Sequence, residues 1–294
     1  MRRVLVLVGI ALATLPAFVI AAPASAAVAL PPDLQALEPK MLALKPNSVR
    51  YHIELSVASK PRVEGPIGGF GPVFGKASDV SETLLEASGE VSAKPQLASV
   101  QVQFLGLNLN ARLVGTTLYV EEPFIKRIDG GRPWVEKRNQ TLHDAIGGGL
   151  GGGVSVDPTS GFSSLGKIVR EARAIRELAP ATVDGQATKA FRISSDLART
   201  TKLSRRQKRR LLKILAPLAT VELFIAENGL PVRSRIIVRE RHGRGRLITQ
   251  VDIPAIEIPV SVQPPPAGET ISQARLDRRL ASLRAHRRHR KSKQ

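Results

Sequence analysis

The chain contains no cysteine, and this absence excludes two ways of stabilising or anchoring a protein. Disulfide bonds cannot form, so the fold must be held together by packing. A lipoprotein anchor is excluded as well, because it requires a cysteine directly after an apolar leader. Hydrophobic residues make up 43% of the chain, which is normal for a globular protein and is enough for a sizeable core.

Long apolar runs are also absent, with one exception at the start. Residues 4–20 are almost wholly apolar, follow Arg2 and Arg3, and precede the small residues Ala24, Ser25 and Ala26. This pattern is typical of a secretory signal peptide, for which we predict cleavage after Ala26. The alternative, an uncleaved membrane anchor, is disfavoured by Pro16 within the run. The sequence therefore predicts a secreted or cell-envelope protein.

Acidic residues are scarce relative to basic ones. The formal net charge is +19, and removal of Arg2 and Arg3 with the leader leaves +17. Such an excess favours anionic partners, which include a phospholipid surface, a cell-wall polymer and nucleic acid. The charge is concentrated in residues 202–213 and 271–294. The residues predicted to contact an anionic surface are Lys202, Arg205, Arg206, Lys208, Arg209, Arg210, Lys213, Arg287, Arg288 and Arg290.

The mature sequence is dominated by short segments with the alternating pattern of β-strands. In residues 48–57, Val49, Tyr51, Ile53 and Leu55 alternate with polar residues. Further strands are predicted at 81–91, 97–104, 107–114, 116–120, around Trp134, on both sides of Asp184-Gly185, and at 221–226, 232–239 and 246–253. The Asn228-Gly229 pair predicts a tight hairpin turn. The predicted fold class is α+β, with a large antiparallel sheet.

Helices and loops separate these strands. The spacing of apolar residues predicts a helix over 33–44, a second that opens at Asp157-Pro158 and runs to Ala172, and a third over 201–215 that ends at Pro217. The proline- and glycine-rich residues 61–76 and the glycine run at 147–153 are predicted to be loops.

Five segments in a particular order resemble a known family. They are 114–120 (VGTTLYV), 131–135 (GRPWV), Asp157-Pro158 at a helix start, 183–191 (VDGQATKAF) and 224–233 (FIAENGLPVR). Each is a turn between strands, and their order across residues 48–266 is similar to that of the LolA/LolB-like lipid carriers, specifically the LprG- and LppX-type lipoproteins of actinobacteria. The chain departs from this family in lacking the lipobox cysteine and in adding a basic tail.

The resemblance implies a strongly curved sheet that forms an open half-barrel, with helices over its concave face and an apolar cavity for acyl chains between them. The alternation of side chains between the two faces of each strand predicts which residues line that cavity. They are Val49, Tyr51, Ile53, Leu55, Val102, Phe104, Leu109, Leu113, Leu223 and Ile225. Aromatic residues make up only 4% of the chain, so the lining is mostly aliphatic, which suits acyl chains better than planar ligands.

Motifs for catalysis are weak. Residues 161–167 have the spacing of a phosphate-binding loop, but Ile168 stands where Ser or Thr is required. Ser163 and Ser164 lie outside a G-x-S-x-G motif, and His52, His143, His242, His286 and His289 have no recognisable nucleophile partner. His286 and His289, amid arginines, make a poor metal site. We therefore expect neither an enzyme nor a cofactor.

Nucleic-acid binding is not expected, because the basic clusters contain no aromatic residue for base stacking.

Together these observations predict a signal peptide over 1–26, a lipid-binding domain over 27–268 and a basic tail over 269–294. The leading hypothesis is a secreted carrier that binds a lipid or another lipophile. The alternative is an envelope-associated structural or binding protein that attaches to anionic surfaces through its basic helix and tail. In the tail, Leu276, Leu280 and Leu283 would give a helix one apolar stripe, whereas the other interpretation is a solvated, disordered segment.

Overall fold

The structure of the protein is a computed structural model. It describes residues 31–44, 46–59, 80–104, 106–121, 125–129, 131–142, 144–145, 165–166, 168–196, 209, 212–241 and 245–291. The predicted signal peptide, the loop at 61–76, the glycine run and the helix start at Asp157-Pro158 lie outside these residues.

Strands dominate the described residues. They are β1 (Ser48–Ser59), β2 (Val80–Ser92), β3 (Leu97–Phe104), β4 (Leu107–Val114), β5 (Thr117–Glu121), β6 (Trp134–Lys137), β7 (Ala174–Glu177), β8 (Ala181–Val183), β9 (Gln186–Asp196), β10 (Leu215–Ala226), β11 (Pro231–Glu240), β12 (Gly245–Ile256) and β13 (Thr270–Ser272). The helices are α1 (Pro32–Ala43), the single turn α2 (Lys126–Asp129) and α3 (Gln273–Lys291).

All of these strands belong to one sheet. Its order is β13-β6-β5-β4-β3-β2-β1-β12-β11-β10-β9-β7, and β8 pairs with β9 beside β7. The pairs from β3 to β6 and from β9 to β12 are antiparallel, whereas β13 joins β6 in parallel. The terminal strands β13 and β7 do not pair with each other, so the sheet remains open. The predicted α+β class with a large, mostly antiparallel sheet is confirmed.

Local sequence signals explain most of the element boundaries. Pro32 occupies the first position of α1, where a backbone N–H has no intrahelical partner to lose. Gly106, Gly115, Gly185 and Gly229 adopt positive φ angles at the turns between paired strands. Strands β3 and β4 have the predicted bounds, and the hairpin of β10 and β11 forms around Asn228-Gly229 as expected.

The prediction for Pro217 was wrong. Helical geometry ends with residue 214, and Pro217 lies inside β10 rather than after a helix. The pairing of β10 with β11 is irregular between Leu215 and Ala219, and a proline is tolerated at such a bulge because no regular ladder hydrogen bond is required there. Strands β7 and β13 were not predicted from the sequence, since each has only three or four residues.

The described residues divide into two compact units. Unit 1 holds residues between 31 and 44, 52 and 86, and 165 and 254; unit 2 holds those between 46 and 51, 87 and 145, and 255 and 291. In unit 2, α3 packs through Leu276 and Leu280 against Ile125, Val135 and Ile271. The described part of the basic tail is thus a helix with two leucines on a core, whereas Leu283 remains 52% exposed.

Candidate functional site

The apolar face of β9 and β10 is covered by helical residues in unit 1. These are Leu34 and Met41 of α1 and the helical residues Leu165, Ile168 and Val169, which are followed by Ala172. They form one buried cluster with Phe191 and Ile193 of β9 and with Val221, Leu223 and Ile225 of β10. All of these side chains are buried. Leu223 and Ile225, which parity assigned to a cavity, therefore belong to a packed cluster between strands and helices.

An apolar cleft lies beside this cluster at one end of β9 and β10. Its volume is about 330 Å³, within the range of roughly 300–1,000 Å³ that small-molecule sites occupy. Among the residues that were predicted to line a ligand cavity, Ile225 lines this cleft. The lining residues are Ala36, Pro180, Ala187, Thr188, Lys189, Ile225, Ala226, Glu227 and Gly229. The cleft therefore joins α1, the start of β9 and the turn between β10 and β11.

The predicted residues of β1 are buried as their alternation indicated. Val49, Tyr51, Ile53 and Leu55 expose at most 2% of their surface. In unit 2, Val102 pairs with Leu109, and Ala98 pairs with Leu113 on the next strand. Val102 and Leu113 are buried, whereas Phe104 and Leu109 are half-buried. The role of these residues in holding a ligand stays a prediction.

Tyr51 carries a polar group on a side chain that is 2% exposed. Its hydroxyl is buried and has no hydrogen-bond partner among the described residues. Burial raises the pKa of the Tyr51 phenol, because the ionised form would lose its hydration. The hydroxyl is therefore neutral at physiological pH.

Charged residues occupy the other face of the same strands in unit 1. The Glu222 carboxylate accepts hydrogen bonds from Arg192 at 3.2 and 2.8 Å and lies 3.8 Å from the Arg235 guanidinium. Arg233 donates to Asp252 on the neighbouring strand. Because side chains alternate along a strand, each strand presents an apolar side and a charged side.

Few residues of the predicted anionic-surface set are described in full. The side chains of Arg209 and Lys213 are exposed in unit 1. Arg287, Arg288 and Arg290 belong to α3, but only their backbone is described. Lys202, Arg205, Arg206, Lys208 and Arg210 lie outside the described residues.

No group of three or more potential metal ligands occurs among the described residues. His52 is the one histidine whose side chain is described, and its Nε2 lies 3.9 Å from a Glu86 carboxylate oxygen. In the same part of the chain, no helix combines the length and apolarity that crossing a bilayer requires.

No family model matches the chain, and no curated protein matches its sequence. Solved structures do match. LprF from Mycobacterium bovis has a TM-score of 0.46 and 13% identity over 79% of this chain and 95% of its own. The lipoprotein LppX from Mycobacterium tuberculosis has a TM-score of 0.42 and 15% identity over 80% of this chain and 100% of its own. Both are of the LprG/LppX type that the sequence resembles. At these identities the likeness concerns the fold alone.

Sequence reasoning missed most of the cleft lining. Ala36, Pro180 and Ala187 have no distinctive pattern, and they meet Ile225 only because α1 and β9 approach the end of β10. It also missed Arg239, Arg241 and Arg246, which strand pairing places beside the basic residues of another segment.

Proposed function

We propose that this protein is an exported, non-catalytic carrier that binds an acyl lipid or another lipophile. The observation that carries the proposal is the apolar cleft of about 330 Å³ between α1, β9 and the β10–β11 turn. A cleft with this lining excludes water from an aliphatic chain and so stabilises it by burial. The resemblance of the sequence to LolA-like carriers supports the same function.

The lining suits an aliphatic ligand for a chemical reason. Ala36, Ala187, Ile225 and Ala226 offer no strong hydrogen-bonding group in their side chains. Lys189 and Glu227 are exposed charged residues at the same cleft, so they provide polar groups for a headgroup. The proposed ligand therefore has an apolar chain and a polar end, as acyl lipids do.

Export completes the proposal. The leader is removed after Ala26, and the mature chain acts in the cell envelope or outside the cell. Intact-mass measurement of the secreted protein tests this, since a mature chain that begins at Ala27 is expected. A mass that retains Arg2 and Arg3 would contradict cleavage.

Native mass spectrometry with lipid extraction, applied to the exported protein, tests ligand binding. Ala36 and Ala187 are exposed, so Ala36→Trp and Ala187→Trp fill the cleft without altering the buried core. We expect bound acyl lipid in the unmodified protein and little in these variants. Ala274→Trp, at an exposed alanine of α3, is the matched control and should retain the lipid.

The carrier proposal fails if the exported protein is reproducibly empty, or if the cleft-filling variants carry as much lipid as the control. An empty protein would favour the alternative function, in which the basic helix and tail attach the protein to an anionic surface. Arg275 and Arg278 of α3 are exposed, which is the observation that supports this alternative.

A further inference from the structure

Two basic segments that are distant in sequence meet at one end of unit 1. Arg241 follows β11, and its backbone N–H donates to the Ile214 carbonyl at 2.8 Å. Its guanidinium Nη1 donates to the Leu212 carbonyl at 2.6 Å. These two bonds fix the end of β11 against the turn that leads into β10, so the charges of both segments share one surface.

The described side chains of this surface are strongly basic. Lys213, Arg239 and Arg241 are exposed, and Arg246 lies directly opposite Arg239 in the pairing of β11 with β12. Glu240 is the acidic residue of the same segment, and Asp196 nearby is neutralised by Arg173 at 2.6 Å. The surface therefore attracts anions.

An apolar side chain lies at the same end. Leu218, in the irregular stretch of β10 between Leu215 and Ala219, is 44% exposed. Pro217 beside it is exposed as well. Apolar groups among basic ones fit the interface of an anionic bilayer, where headgroups contact the cations and acyl chains accept the leucine. A soluble polyanion offers nothing to Leu218.

We propose that this end of unit 1, comprising Arg209, Lys213, Leu218, Arg239, Arg241 and Arg246, docks on an anionic phospholipid bilayer. The inference goes beyond the carrier function, since docking does not require the cleft to hold a lipid. Docking through this surface would also fix the orientation of the cleft relative to the bilayer. The cleft lies at the Ala226 end of β10 and the basic surface at the Leu215 end, roughly 35 Å apart along a twelve-residue strand. The docked protein therefore holds the cleft away from the bilayer that it contacts.

Vesicle co-sedimentation of the exported protein tests the proposal. The vesicles contain phosphatidylcholine alone or phosphatidylcholine mixed with phosphatidylglycerol. The test variant combines Arg209→Gln, Lys213→Gln and Arg239→Gln, all at exposed positions, and keeps Arg241 because it holds the two segments together. The control combines Lys40→Gln, Lys94→Gln and Arg176→Gln, which removes the same charge from exposed sites outside the basic segments and the tail.

We expect the unmodified protein to bind only the vesicles that contain phosphatidylglycerol. The test variant should lose about a hundredfold in partitioning, because each basic residue at an anionic surface contributes about fivefold. The control should lose no more than about threefold. Near-ultraviolet circular dichroism verifies that both variants are folded. Equal losses in the two variants, or a larger loss in the control, would overturn the proposal.

Leu218→Ser distinguishes binding to a bilayer from binding to a soluble polyanion. We expect it to weaken binding to the anionic vesicles at high salt, where the electrostatic contribution is screened. Binding to soluble polyphosphate should not change. If polyphosphate or DNA binds more tightly than the vesicles and Leu218→Ser affects neither, the partner is an anionic polymer and the bilayer proposal is wrong. Because vesicle binding is measured without cargo, it can fail while the carrier function stands.

Discussion

The backbone of Gly89 leaves the space that the Tyr51 hydroxyl needs. A Cβ atom at Gly89 would lie 3.1 Å from the Tyr51 hydroxyl oxygen and 2.5 Å from the Ser99 carbonyl oxygen. The second distance is shorter than real Cβ contacts, and the Ser99 carbonyl belongs to a strand that cannot easily move. Glycine is therefore required here by close packing between strands rather than by its φ angle.

Gly89→Ala is expected to destabilise the protein by about 1–3 kcal/mol, since overpacking forces strands apart. Urea denaturation measures the loss. Gly268→Ala is the matched control, because a Cβ there would have no atom within 4 Å. A Gly89 variant as stable as the Gly268 variant would contradict the close contact.

Tyr51→Phe is expected to leave the protein as stable as before or to stabilise it by about 1 kcal/mol at neutral pH. The buried hydroxyl has no hydrogen-bond partner among the described residues, so its removal breaks no hydrogen bond. It also relieves the free-energy cost of burying a polar group. Thermal unfolding measures the difference. A loss above about 2 kcal/mol would show that the hydroxyl is bonded in solution.

The same residue predicts a dependence on alkaline pH. Burial raises the pKa of Tyr51 in the folded protein, so above the ordinary value of about 10 the unfolded chain releases a proton that the folded chain keeps. The free energy of unfolding must then fall as pH rises above about 10. Tyr51→Phe should lose less stability over this interval. Tyr119→Phe should retain most of the loss, because partial burial and Glu136 raise the pKa of Tyr119 as well, but its side chain is only half-buried. Urea denaturation at several alkaline pH values distinguishes the two variants.

Glu222→Gln is expected to cost about 2–4 kcal/mol. The carboxylate is buried and paired with Arg192 on β9 and Arg235 on β11, so its neutralisation leaves two guanidinium groups without their counter-ion. Glu90→Gln is the comparison, because Glu90 pairs with Arg50 at 2.6 Å but is more exposed. That change should cost less than about 1 kcal/mol. Equal effects in urea denaturation would mean that burial does not strengthen the Glu222 pairs.

Leu276→Ala tests whether the basic tail is packed. Leu276 is 5% exposed and contacts the core of unit 2, so the variant should lose about 2–4 kcal/mol of packing at α3. Trypsin should then cut α3 faster after its arginines. Leu283→Ala, at a 52% exposed position, should be cut at the unmodified rate. Equal cleavage of both variants would indicate a detached tail.

Part of the fold could be predicted from short-range patterns. The alternation of Val49, Tyr51, Ile53 and Leu55 identified the buried side of β1, and Asn228-Gly229 identified the β10–β11 hairpin. Pro217 was interpreted wrongly because a proline that ends a helix and one in a strand bulge look alike in sequence. Strand β13 was missed since its three residues are stabilised by pairing with β6, more than a hundred positions earlier.

By itself the sequence determined the excess of positive charge, the absence of disulfides, the strand alternation and the tight turns, because these depend on composition or on neighbouring residues. Only the tertiary structure decided which segments meet. It placed Ala36 and Ala187 at one cleft with Ile225, joined Arg241 to Leu212 and Ile214, and packed Leu276 on Ile125 and Val135. The physical reason is that strand order and helix packing depend on contacts between residues far apart in the chain, which no local pattern specifies.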